Sequence, residues 1–155
     1  MGTRTGERTD ICEDNDDCSM LLAAIVLCLV PLATCRCHGS HTYHATGTGY
    51  YPADDPIEGG FLDMRGHKLH TLQDFLEGHA SYVSVAMDNR AGIAYGTRIC
   101  IPEMDAKYNR HIVFEVVDTG SAFYGKGHSR IDICVRNRAL SYDDTINGRL
   151  TLVFP

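Results

Sequence analysis

Val116-Val117-Asp118-Thr119-Gly120-Ser121-Ala122-Phe123, followed closely by Gly125, Gly127 and Arg130-Ile131-Asp132-Ile133, is the stretch on which the fold turns. An apolar β-branched run ends in an acid, passes through a glycine-rich turn and meets a second acid inside an alternating segment. An acid pair gathered at a glycine turn is a layout for proton-transfer chemistry.

Working outward, the period-two pattern recurs. Val83, Val85 and Met87 alternate with Tyr82, Ser84 and Ala86; Ile99 and Ile101 alternate with Arg98 and Cys100; Ile131, Ile133 and Val135 alternate with Asp132, Cys134 and Arg136. Leu150, Leu152 and Phe154 close the chain after a tight turn at Asn147-Gly148, and Tyr43 to Pro52 reads as a first strand. Asp54 to Gly66, with Pro56 and three glycines, predicts an irregular loop or hairpin. Thr71 to Gly78 predicts one short helix, with Thr71 as N-cap, Asp74 three residues on and Leu72, Phe75 and Leu76 as its apolar face. Lys107, Tyr108 and Arg110 read as a solvated turn. Short strands separated by glycine turns predict a mainly β protein built as a small barrel.

The 155 residues fit one compact domain, 38–155, behind a leader region, 1–37. Residues 1–37 hold six acids against three bases and the body 14 against 11, so no basic face for nucleic acid is expected. Met20 to Ala33 is fourteen residues without a charge, short for a membrane span and suited to a signal-peptide core. Acids at 13, 14, 16 and 17 precede it where bases are usual, so Met20 as the true start and a membrane-associated helix remain alternatives. Leu32-Ala33-Thr34-Cys35 resembles a lipoprotein cleavage box, which makes Cys35 a candidate for lipid attachment. Export to a bacterial periplasm, envelope or exterior is the expectation.

Of seven cysteines, Cys100 and Cys134 fall in the barrel body, either as one disulfide or as two buried thiols. Cys35-Arg36-Cys37 is not a zinc knuckle, and neither metal nor cofactor is expected. His38, His41 and His44 read as a solvated linker, and His67, His70, His79 and His128 as polar loop residues.

The ordered motifs resemble a known family. Tyr43-x-Ala-Thr46, Val85-Ala86-x-Asp88, Tyr95-Gly96-Thr97-Arg98-Ile99 with Ile101-Pro102, Val117-Asp118-Thr119-Gly120 and Gly125-x-Gly127-x-x-Arg130-Ile131-Asp132 are similar to the bacterial three-aspartate (3D) domain, also the catalytic barrel of membrane-bound lytic transglycosylase A. The resemblance spans residues 43–154. It implies a six-stranded double-psi β-barrel acting on peptidoglycan glycan strands, with Asp118 as catalytic acid/base, Asp88 and Asp132 in the same groove, and no cofactor. Three acids together would raise one pKa and leave one proton in place. Thr119, Gly120, Ser121, Phe123, Tyr124, Tyr50 and Tyr51 are the expected substrate contacts. Ser121 stands where the family usually has a second glycine, and Phe123-Tyr124 replaces a smaller pair, which narrows the groove or adds a sugar-stacking surface.

Each acid has a plainer reading. Asp88 suits a turn cap, and Asp132 suits an ion pair with Arg130 or Arg98. A second function class, a non-catalytic wall-binding or structural module, uses the same aromatics without chemistry. Valines before Asp118-Thr119-Gly120 also match an aspartic protease turn, but the 35 residues after Gly120 leave too little chain for the remaining protease elements.

Overall fold

The computed structural model describes residues 37–54 and 60–155. The apolar segment 20–33 and Cys35 lie outside the described residues, as do Pro56 and Gly59. Six strands form one mixed sheet: β1 (His41–Tyr50), β2 (Val83–Ala86), β3 (Thr97–Ile99), β4 (Phe114–Asp118), β5 (Arg130–Cys134) and β6 (Arg149–Phe154). Their order is β3-β4-β2-β5-β1-β6. The pairs β1/β5 and β2/β4 are parallel, and β2/β5, β1/β6 and β3/β4 are antiparallel. Just beyond β3, Cys100 N–H donates to Val153 O at 3.0 Å and Val153 N–H returns to Cys100 O at 2.9 Å. That exchange joins the two outer strands, so the sheet curls into a nearly closed six-stranded barrel and covers its own edges.

The alternation explains which side chains fill it. Val83 and Val85, Phe114 and Val116, Ile131 and Ile133, and Leu150 and Leu152 all enter the interior cluster, whereas Ala86, Asp132 and Cys134 occupy the intervening, outward positions. β4 breaks the rule once. Val85 pairs with Val116 but Ala86 pairs with Asp118, so Val117 is the extra residue of a bulge. Both valines are buried nonetheless, Val116 inside the barrel and Val117 in a second small cluster with Leu69 and Cys134.

Two helices flank the sheet. α1 (Leu72–Leu76) has the expected capping box: Asp74 N–H donates to Thr71 Oγ1 and Thr71 N–H to Asp74 Oδ2, both at 3.1 Å. α2 (Pro102–Tyr108) replaces the solvated turn expected around Lys107 and makes two helices instead of one. Its signals are local: Pro102 at the first position, Glu103 and Asp105 in the first turn, Lys107 in the last and Asn109 left-handed at the end. They span under two turns, too few to register as an apolar period. Lys107 is ion-paired with Asp143. The first strand begins at His41, earlier than Tyr43, with His41 and His44 exposed along it.

Cys100 is bonded to Cys37 and not to Cys134, which is a buried free thiol. The bond ties the segment ahead of β1 to the barrel seam, so Cys37 belongs with the barrel and not with the leader. Sequence spacing carried no sign of it, because residues 63 apart meet only after the barrel closes.

Gly47 and Gly49 of β1 lie directly under the turns before β6, where a Cβ on Gly47 would stand 2.1 Å from the Ile146 carbonyl oxygen. Gly47→Ala is therefore expected to destabilise the fold by about 2 kcal/mol or more, read as a lower midpoint in urea with an unchanged slope.

Candidate functional site

The bulge sets the site. With Asp118 and Asp132 both in register with Ala86, the three residues form a row across β4, β2 and β5, extended to Thr48 of β1. Two strand spacings put the Cα atoms of Asp118 and Asp132 about 10 Å apart. Thr48 Oγ1 donates to Asp132 Oδ1, and Arg130 reaches the same carboxylate at 3.3 and 3.4 Å. Of the two partners weighed for Asp132, Arg130 is the one it has; Arg98 instead faces Glu115 at 3.4 Å.

Asp118 is half-buried at the end of β4 and accepts a hydrogen bond from Thr119 N–H at 2.9 Å. Burial pushes its carboxyl above the usual range; the Thr119 bond opposes this and the charge of Asp63 adds to it. The raising acid was expected to be Asp88 or Asp132. It is Asp63, which no motif reading singled out.

Asp63 arrives through a loop-to-strand hydrogen bond, Met64 N–H to Val117 O at 3.3 Å, which lays the 60–69 hairpin against β4. Its side chain, 1% exposed, accepts from Tyr95 Oη at 2.5 Å, Arg65 N–H at 2.8 Å and His67 N–H at 2.9 Å. Burial works against ionisation here, but these donors hold Asp63 below the usual carboxylate range. Tyr95 is pushed up to about 12 by burial and by Asp63, and the Arg65 guanidinium lies 3.9 Å from its ring centre. His67, read as a polar loop residue, sits at this site, with Nδ1 3.0 Å from Tyr95 Oη and 3.5 Å from Asp63.

Asp88 answers to its plainer reading. It is 2% exposed and accepts from Gly127 N–H and Arg90 N–H, both at 3.0 Å. The Gly127 bond first, then those of Arg90, Gly125 and Lys126, hold its carboxyl below the usual range, so it is ionised and ties β2 to the loop after Asp118. Gly127, at φ 56, has the left-handed backbone that turns its N–H to Asp88.

The expected substrate contacts divide. Thr119 and Gly120 are half-buried and Ser121 exposed beside Asp118. Phe123 is buried, with the Arg130 guanidinium 5.1 Å from its ring centre, and offers no face to a sugar. Tyr124 is 41% exposed, with Arg90 stacked 3.5 Å from its ring centre. Tyr50 is half-buried, with its hydroxyl enclosed beside the Cys134 thiol; burial first, then Cys134, Asp118 and Asp132, push it well up. Tyr51 packs against the barrel core. The Cys134 thiol is pushed up to about 12 by burial and stays protonated. Unforeseen neighbours are Phe61 and Leu62, 55% and 53% exposed, on the Asp63 hairpin. Pattern reading treats such residues as loop, since a hairpin's docking partner is invisible in its own sequence.

No protein-family model and no curated protein matches this chain.

The electrostatics give opposite signs for stability. Asp118 binds its proton more tightly folded than unfolded, so its contribution falls as pH rises from the unfolded value of about 3.9 through its raised folded value. Asp118→Asn is therefore expected to melt higher than the parent at neutral pH, the gap closing below about pH 3.9. Asp63 and Asp88 are depressed, so their contributions are present above the unfolded value and are lost as pH falls through their folded values. Asp88→Asn should consequently melt below the parent at neutral pH, with a smaller difference in acid, in the same thermal scans.

Proposed function

We propose that this protein cleaves peptidoglycan glycan strands as a lytic transglycosylase-like enzyme of the bacterial envelope, with Asp118 as general acid and then base. It is exported through the 20–33 segment and held at the membrane by that segment or by lipid at Cys35. The observation that carries the reading is the contrast at one site: Asp118 is held above the usual carboxylate range, while Asp63 beside it is held below. Glycoside cleavage needs a carboxylic acid that keeps its proton above the ordinary carboxylate range, and burial next to a fixed negative charge moves Asp118 in that direction.

The protonated Asp118 gives its hydrogen to the bridging oxygen as the C1–O bond breaks, and the leaving sugar departs with a hydroxyl. The Asp118 carboxylate then takes the proton of the C6 hydroxyl, whose oxygen closes on C1 to give a 1,6-anhydro end. No second carboxylate nucleophile enters, so the about 10 Å between the Asp118 and Asp132 backbones is no obstacle. Asp132, fixed by Arg130 and Thr48, orients substrate hydroxyls. Asp88 acts at one remove by holding the Gly125–Gly127 loop. Phe61, Leu62 and Tyr124 supply apolar faces for sugar rings.

The binding-only reading draws on the same exposed Tyr124 with its stacked Arg90. Purified cell wall separates the two: the enzyme clears turbidity and leaves anhydro ends by mass spectrometry, Asp118→Asn binds without clearing, and a binder shows no clearing from the parent. Activity should fall as pH rises through the Asp118 value, because the acid form is the donor. Asp63→Asn should shift that alkaline limb to lower pH, since the neighbouring charge is gone; a limb that stays in place removes Asp63 from the mechanism.

A further inference from the structure

The barrel seam carries a cluster that the proposed glycan chemistry does not use. Cys37, at the start of the described chain, is bonded to Cys100 at the end of β3, and Asp105 of α2 faces both sulfurs. Asp105 Oδ2 lies 3.6 Å from Cys37 Sγ and 3.4 Å from Cys100 Sγ. His111 Nδ1 stands 3.0 Å from that oxygen and 3.7 Å from Cys100 Sγ. Cys100 is buried, and the side chains of Asp105 and His111 are mostly covered.

We propose that reduction of the Cys37–Cys100 bond turns this cluster into a tetrahedral zinc site with Cys37, Cys100, Asp105 and His111 as ligands. Ordinary zinc bond lengths give tetrahedral edges of about 3.5 Å for sulfur to oxygen or nitrogen, and about 3.3 Å for nitrogen to oxygen. The four contacts above, 3.6, 3.4, 3.7 and 3.0 Å, already lie close to those edges. Two edges are not yet in place: the two sulfurs must part from a bonded contact of about 2.0 Å to about 3.8 Å, which is what breaking the bond permits, and Cys37 Sγ, within 4.8 Å of the Cys100 and Asp105 ligand atoms but not of His111, must close on the imidazole as it moves. The carboxylate is pre-aimed, because Ile112 N–H donates to Asp105 Oδ1 at 2.9 Å and leaves Oδ2 toward the sulfurs.

The chemistry balances. A dithiol reductant gives two electrons and two protons to the sulfur–sulfur bond and becomes a disulfide; Zn²⁺ then displaces the two thiol protons and is held by two thiolates, a carboxylate and a neutral imidazole. Disulfide and metal are mutually exclusive at this position. Either one fixes the segment before β1 to the strand that closes the barrel through Val153, so the seam is stapled in oxidising and in reducing surroundings alike. The other acid–histidine group among the described residues, Asp74, Glu77 and His79, lacks this character: it is open to solvent, and Arg136 occupies both carboxylates at 2.6 to 3.4 Å.

The test uses the full chain with Cys12, Cys18, Cys28 and Cys35 replaced by serine, so that only Cys37, Cys100 and Cys134 remain. The protein is reduced with a phosphine, freed of reductant without air and titrated with Co²⁺. One equivalent should produce the visible bands of tetrahedral cobalt together with thiolate charge transfer, both bleached by Zn²⁺, and the unreduced protein should produce neither. Cys37→Ser should abolish the bands, and His111→Ala should weaken binding about tenfold or more. Asp105→Asn should also abolish them; should that variant fail to fold by circular dichroism, Cys37→Ser and His111→Ala decide. A reduced, folded protein without tetrahedral bands overturns the proposal, as do bands that survive Cys37→Ser or appear without reduction.

Discussion

The double pairing of β2 is the constraint on which the rest depends. Val83-Ser84-Val85-Ala86 is buried throughout and bonded on both sides, parallel to β4 and antiparallel to β5. A strand so placed cannot slip by one residue without turning Val83 and Val85 out of the core, so its register fixes both neighbours. Asp118 and Asp132 are brought level with Ala86 by that register and by the bulge at Val117. Ala86, between the two acids, is itself buried.

On that face, environment and not residue type sorts the aspartates. Asp63 and Asp88 are both almost wholly covered, yet each is supplied with N–H or O–H donors and stays ionised. Asp118 is less buried but, among the described residues, has the hydrogen bond from Thr119 alone to offset lost hydration and the charge of Asp63. Burial with donors favours a carboxylate, and burial without them favours the acid. Asp118 is thereby destabilising for the fold at neutral pH.

The seam is the second organising place. Closure rests on a short bonded exchange between Cys100 and Val153, because β3 is only three residues long. The Cys37–Cys100 bond and helix α2 reinforce it from outside, Glu103 adding a carboxylate that accepts from Thr151 N–H of β6 at 3.1 Å. Covalent and polar ties accumulate where the backbone ladder is thinnest.

By itself the sequence determined the elements whose causes are local. Period-two alternation marked the strands, the Thr71/Asp74 pair marked α1, and the valines, acid and glycines of 116–127 marked a strand end and its turn, though not the bulge at Val117. It also marked Asp118 as the acid to examine. Only the tertiary structure decided that Asp63 and not Asp88 lies against Asp118, that Phe123 is covered by Arg130, and that Cys100 joins Cys37. Each of these is a meeting of segments distant in the chain. A residue's own neighbours fix its backbone preference, whereas its charge state and its covalent partner follow from what barrel closure brings alongside.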